Sequence, residues 1–113
     1  MFATDLGPTG LGRVTLLTIS EFGRRVGENA SRGLDHGHGN AILLLGGGVR
    51  GRRVCTGAGP VWRRRSWSPV TFAATTDYRA VIGEILQQRC GVGNLAGVFP
   101  GVTPAGYGLV AAR

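Results

Sequence analysis

The segment Arg13-Val14-Thr15-Leu16-Leu17-Thr18-Ile19 is apolar or β-branched at odd and even positions alike. A strand with one wet face alternates with period two, whereas a strand without alternation needs cover on both faces. Ala41-Ile42-Leu43-Leu44-Leu45 repeats the pattern and closes on Gly46-Gly47-Gly48. These runs predict two buried strands, at about residues 13–19 and 41–45, of the kind found in parallel sheets. A third regular element follows Thr75-Thr76-Asp77. Tyr78, Val81, Ile82, Ile85, Leu86 and Cys90 recur at steps of three and four, which predicts a helix over about 77–90. Thr76 or Asp77 can cap its start, and Gly91 can turn the chain out of it. The tail from Gly91 reads as a loop whose Leu95, Val98 and Phe99 pack back onto a core. Strand, loop, strand and helix make a piece of an α/β architecture. One helix cannot cover both faces of two buried strands, so the expected fold is a partial α/β piece, a single incomplete domain over residues 1–113.

The remaining composition narrows the class. With 42% hydrophobic residues in 113, a packed core is expected and wholesale disorder is not. No apolar run approaches the roughly 18–20 residues of a membrane-spanning helix. Met1-Phe2-Ala3-Thr4-Asp5 lacks the basic region and apolar stretch of a secretory signal. Cys55 and Cys90 are too few for a disulfide scaffold or a four-cysteine zinc site. The 21 glycines, without a collagen period, predict many turns and close backbone approaches.

Charge is unevenly placed. All 13 basic residues are arginine, and the net charge is +7. Residues 49–72 hold Arg50, Arg52, Arg53, Arg63, Arg64 and Arg65 and no acid, so nearly all of the excess sits in one segment. Trp62 and Trp67 lie there too, and no helical or strand period is sustained. Read as selected surface, Arg50–Arg65 with two stacking tryptophans is a small basic module for nucleic acid. Because the rest of the chain is close to neutral, no specific nucleic acid is expected as partner.

Two short segments carry candidate chemistry. Ser20-Glu21-Phe22-Gly23-Arg24-Arg25 follows the carboxyl end of the first strand, where open α/β sheets place their ligands. Glu21 is positioned there as a ligand or base, or as an ion-pair partner of Arg24 or Arg25. Gly33-Leu34-Asp35-His36-Gly37-His38-Gly39 combines carboxylate and imidazole, which suits zinc, manganese or iron. The alternative is a solvated loop in which Asp35 caps a short turn. Gly46-Gly47-Gly48 lacks the Gly-Lys-Ser/Thr ending of a phosphate loop.

These blocks in order, Ser20–Val26, Glu28-Asn29, Gly33–Gly37 and Leu45–Val49, resemble DUF1501, a bacterial sulfatase-like family of unknown function. Thr75–Val81 and Leu95–Gly101 resemble its carboxyl-terminal blocks, and residues 50–72 do not match. The resemblance implies the fold of the alkaline phosphatase superfamily, a metal-dependent α/β sandwich several hundred residues long. This chain corresponds to about its last quarter. It further implies a parent exported to the periplasm, often by a twin-arginine signal, and a divalent metal, zinc or manganese, acting on a small phosphate or sulfate ester. In that superfamily one strand ends in Asp-His-Gly, and a later loop supplies another metal-binding histidine. Here the blocks are Glu21-Phe22-Gly23 and Gly33-Leu34-Asp35-His36. The resemblance makes His36 a metal ligand, Glu21 a ligand or supporting base, Asp35 the residue orienting His36, and Arg24 a holder of the anionic ester. Phe22 has no lone pair and breaks the pattern, which keeps a non-catalytic structural role open. The superfamily's nucleophile and remaining ligands lie upstream, so this piece alone is expected to be inactive.

Residues 50–72 have a second reading as a frame-shifted linker. Permitted codons for Cys55–Phe72, read two bases later, spell Tyr-Gly-Arg-Trp-Pro-Gly and then an acidic stretch. That resembles the family's linker. Compensating shifts near Arg52–Cys55 and Phe72-Ala73 would restore the frame and account for the local positive charge.

Overall fold

The structure is a computed structural model and describes residues 1–55, 74–103 and 105–113. It is a mixed α/β arrangement with two helices and two small antiparallel sheets among the described residues. The described residues divide into two compact units: 1–17, 43–54, 78–103 and 105–113 form one, and 18–42, 55 and 74–77 the other.

The first unit opens with α1 (Phe2–Leu11), an element the sequence did not announce. It is two short helical pieces joined at Gly7, whose φ of 60° and ψ of 179° are not helical. Pro8 explains the break. A proline disfavours helical backbone in the residue before it, yet its own fixed φ suits the first turn of the next piece. The Met1 ammonium pairs with Asp5 at 3.0 Å.

β1 (Thr15–Leu17) lies within the expected first strand, and β4 (Leu44–Gly46) overlaps the second. They pair with each other, antiparallel, with Leu16 opposite Leu45 and Leu17 opposite Leu44. The expectation of strands buried on both faces, as in a parallel sheet, is corrected here. Leu16 is 39% exposed and Leu45 53%. A two-stranded ladder has no further strands or helical layers to cover it, and lack of alternation does not reveal which strand pairs with which. At its end Gly47 donates its N–H to the Val14 carbonyl at 2.7 Å, and Thr15 Oγ1 donates to the Gly47 carbonyl at 3.0 Å.

α2 (Tyr78–Cys90) begins one residue later than expected and ends where expected. Gly91 adopts the left-handed φ of 70°, and the Val92 N–H returns to the Leu86 carbonyl. That satisfies one of the acceptors orphaned in the last helical turn. The buried face is rotated from the expected stripe. Ala80, Val81, Gly83 and Glu84 are buried, whereas Tyr78 and Cys90 are exposed. The cause is what the helix packs against. The extended strap at residues 107–111 brings backbone N–H groups to Glu84 and adds Val110 to the buried residues.

Glu84 meets those groups. Its carboxylate accepts from the N–H of Tyr107 at 2.6 Å, of Val110 at 3.0 Å, and of Leu109. On the strap's other side Val110 bridges Val49. The Arg50 N–H donates to the Leu109 carbonyl at 2.8 Å, and the Ala111 N–H to the Gly48 carbonyl at 2.7 Å. Among the described residues, Ala80, Val81, Leu95 and Val110 form the small buried apolar core. Leu95 is thus inside as expected, but Val98 is 49% exposed. Arg89 closes the unit by donating from Nη2 to the Gly12 carbonyl at 2.7 Å, at the end of α1.

The second unit contains β2 (Gly23–Glu28) and β3 (Leu34–Gly37), an antiparallel hairpin. The sequence reading placed a turn and a loop here. The hairpin escapes that reading because, apart from Gly23, β2 is exposed along its length and shows no buried alternation. Its turn is built by Asn29. The Asn29 N–H donates to the Gly33 carbonyl at 2.8 Å, and its side-chain oxygen accepts from the N–H of Ser31 and Gly33. Asparagine serves this role because its short amide can imitate a turn of backbone.

A candidate anion pocket on the β2–β3 hairpin

The hairpin register brings the two candidate segments together. Gly23 lies opposite Gly37 and Arg24 opposite His36. Directly opposed residues of an antiparallel pair point to the same face, with side chains in reach of each other. Arg24, Arg25, Leu34, Asp35 and His36 line a shallow open pocket of about 440 Å³.

Each polar lining side chain has a defined neighbour. Arg24 Nη1 donates to the Leu34 carbonyl at 2.8 Å, which ties the guanidinium across the hairpin. Asp35 Oδ1 accepts from Asn29 Nδ2 at 2.9 Å. Its other oxygen lies 3.6 Å from Arg25 Nη1, with both side chains about half exposed. An ion pair that wet contributes little stability. Its effect is on placement, since Asn29 fixes Asp35 and Asp35 sits beside Arg25. The His36 ring stacks on Phe22, centroids 3.7 Å apart and planes 27° from parallel. The Arg24 guanidinium carbon lies 5.2 Å from the Phe22 centroid.

Of the four residues singled out in the sequence, Arg24, Asp35 and His36 therefore share one pocket, and Glu21 lies outside its lining in the exposed bend before β2. Asp35 contacts Asn29 and Arg25. Arg25, Asn29 and the Phe22 stack were missed. A usable signal was present, since Arg-Arg and Asp-His flank an Asn-x-x-x-Gly segment, a turn signature that would bring the pairs face to face.

A metal centre has a stricter requirement. Among the described residues no group of three or more His, Cys, Asp or Glu side chains is arranged to hold a metal ion. His36 and Glu21 alone do not fit a complete site, which needs at least three protein ligands. Cys55 and Cys90 are free and exposed. In the basic segment, Arg53 Nη1 donates to the Gly108 carbonyl at 3.3 Å. Trp62, Arg63, Arg64, Arg65 and Trp67 lie outside the described residues. No helix of the described residues is long and apolar enough to cross a membrane.

The sequence profile of DUF1501, described as a protein of unknown function, matches residues 1–80. The chain belongs to this family. No curated protein and no solved structure matches it. The DUF1501 match contains every residue of the hairpin pocket, whereas Glu84 and the strap it holds lie beyond it.

Proposed function

We propose that the β2–β3 hairpin recognises a small oxyanion, the phosphate or sulfate end of an ester, as the carboxyl-terminal part of a sulfatase-like DUF1501 protein. The observation that carries this reading is the pairing of Arg24 with His36 across the hairpin, with Arg25 beside them in one open pocket. Guanidinium groups suit tetrahedral oxyanions because their donors are planar, forked and permanently charged. Arg24 and Arg25 supply the charge, Asp35 holds Arg25 in place, and His36 adds a further donor.

The chain on its own binds without turnover in this proposal. In a longer parent, working after export to the periplasm, a zinc or manganese ion would need ligands beyond His36 and Glu21, and the hairpin's part is to hold the anionic end of the ester. The exposed Leu16 and Leu45 pair supports a parent whose further sheet or helices cover the β1–β4 ladder.

Titration of the 113-residue chain with inorganic phosphate, followed by backbone amide NMR, tests the reading. Amides of residues 23–25 and 34–37 are expected to shift with a dissociation constant on the order of 1–10 mM. Loss of one charge-assisted donor should weaken that about tenfold in Arg25→Gln. His36→Ala should weaken it by a similar factor. Static resonances at phosphate concentrations tenfold above that range would dispose of the pocket as an anion site.

A further inference from the structure

The geometry points to Phe22 as the positioning residue of this pocket, fixing the orientation of the His36 imidazole. As a departure from a metal-binding pattern Phe22 looked like a lost ligand. In the structure its ring stacks on that of His36, with centroids 3.7 Å apart and planes inclined by 27°. Phe22 lies in the bend immediately before β2, and the Arg24 guanidinium carbon stands 5.2 Å from its ring centroid. Arg24 is paired with His36 across the ladder, which makes Phe22 the diagonal neighbour of His36. Diagonal neighbours are within reach of aromatic side chains. The chain is held on course just before the strand, where Ser20 Oγ donates to the Phe22 carbonyl at 2.9 Å.

Stacking constrains an imidazole in a particular way. It occupies one face of the ring and leaves the two nitrogens at the edge free to meet a partner. Without Phe22, His36 is an exposed side chain at the rim of an open pocket, free to change rotamer. With it, the ring is held in the pocket that Arg24, Arg25 and Asp35 also line. The Arg24 guanidinium also lies within about 6 Å of the Phe22 ring, the range of a cation–π contact. One aromatic side chain thus restrains two of the groups proposed to face the anion. This inference rests on the oxyanion reading for its ligand and on the stack alone for its geometry.

Two independent readouts separate those parts. The first is the ring-proton shifts of His36 in the free 113-residue chain. Phe22 should move them upfield, Phe22→Leu should abolish the displacement, and Phe22→Tyr should keep it. The second is phosphate affinity. Loss of an aromatic pair worth about 0.5–1.5 kcal/mol predicts roughly 3- to 10-fold weaker binding in Phe22→Leu. Phe22→Tyr should restore it to within about twofold of wild type. Amide spectra matching wild type beyond residues 20–40 establish that each variant is folded. Unshifted His36 ring protons in wild type would overturn the inference. So would a stack that disappears in Phe22→Leu while phosphate affinity stays unchanged. A wild-type chain that shows the stack but binds no phosphate overturns the oxyanion reading and leaves the stack standing.

Discussion

Glu84→Ala is expected to lower the free energy of unfolding by about 3–5 kcal/mol and to free the strap at residues 107–111. The carboxylate is 6% exposed and accepts three backbone N–H groups. A hydrogen bond to a charged group contributes about 1.5–3 kcal/mol, and a buried donor left without a partner costs about 1–3 kcal/mol. Alanine removes both acceptor oxygens and leaves all three N–H donors without this partner. Against a total stability of about 5–15 kcal/mol, the loss is large. Urea unfolding measures the total, and amide exchange locates it. Tyr107, Leu109 and Val110 should lose protection first, followed by the Val49–Val110 bridge. Glu84→Gln should cost roughly half as much, because one carbonyl oxygen remains for Leu109 and Val110 while its NH₂ faces the Tyr107 donor. Wild-type exchange at these three amides in Glu84→Ala would show that the strap is held by other contacts.

Gly23→Ala is expected to break the pocket outright. Gly23 is buried at the start of β2, and a Cβ there would fall on the backbone of Gly39, also buried. Backbone cannot swing aside as a flexible side chain can. The clash should cost about 3 kcal/mol or more, at the upper end of overpacking effects. Gly23 pairs with Gly37, one position from Arg24 and His36, so displacing it shifts both sides of the pocket. The expected result is rapid amide exchange across residues 23–37 and no response to phosphate, with the Val110 amide still protected. Slow exchange and intact phosphate shifts in this variant would mean that Gly23 and Gly39 do not approach so closely.

How much of this was legible depended on whether a segment's order comes from burial or from specific polar contacts. The second helix was legible because apolar residues at helical spacing end at a glycine that takes the left-handed turn. Both apolar strands were located by their unbroken apolar and β-branched runs. Their antiparallel pairing was not, because pairing is a property of two distant segments and neither alone encodes it. The hairpin was read as turn and loop because its order comes from Asn29 and from arginine contacts, which leave no hydrophobic period. The first helix was hidden by Gly7-Pro8, ordinarily a stop signal, which here joins two short pieces. Nothing in the sequence singles out Glu84. Its partners are backbone N–H groups in a glycine-bearing tail, and side-chain composition does not report those. In the pocket the individual residue types were legible and their grouping was not, since grouping follows from the Arg24–His36 register.

That register is regular only at one end. Gly23 faces Gly37 and Arg24 faces His36, but Glu28 already faces Leu34, so β2 spends four steps where β3 spends two. The surplus lies at residues 25–27, in a bulge. It acts as slack in a seam, separating the stitched pair at Arg24 and His36 from the Asn29 turn. A residue gained or lost at 26 or 27 would first change the size of that slack, leaving in place both Arg25 and the cross-strand pair of Arg24 with His36 on which the pocket depends.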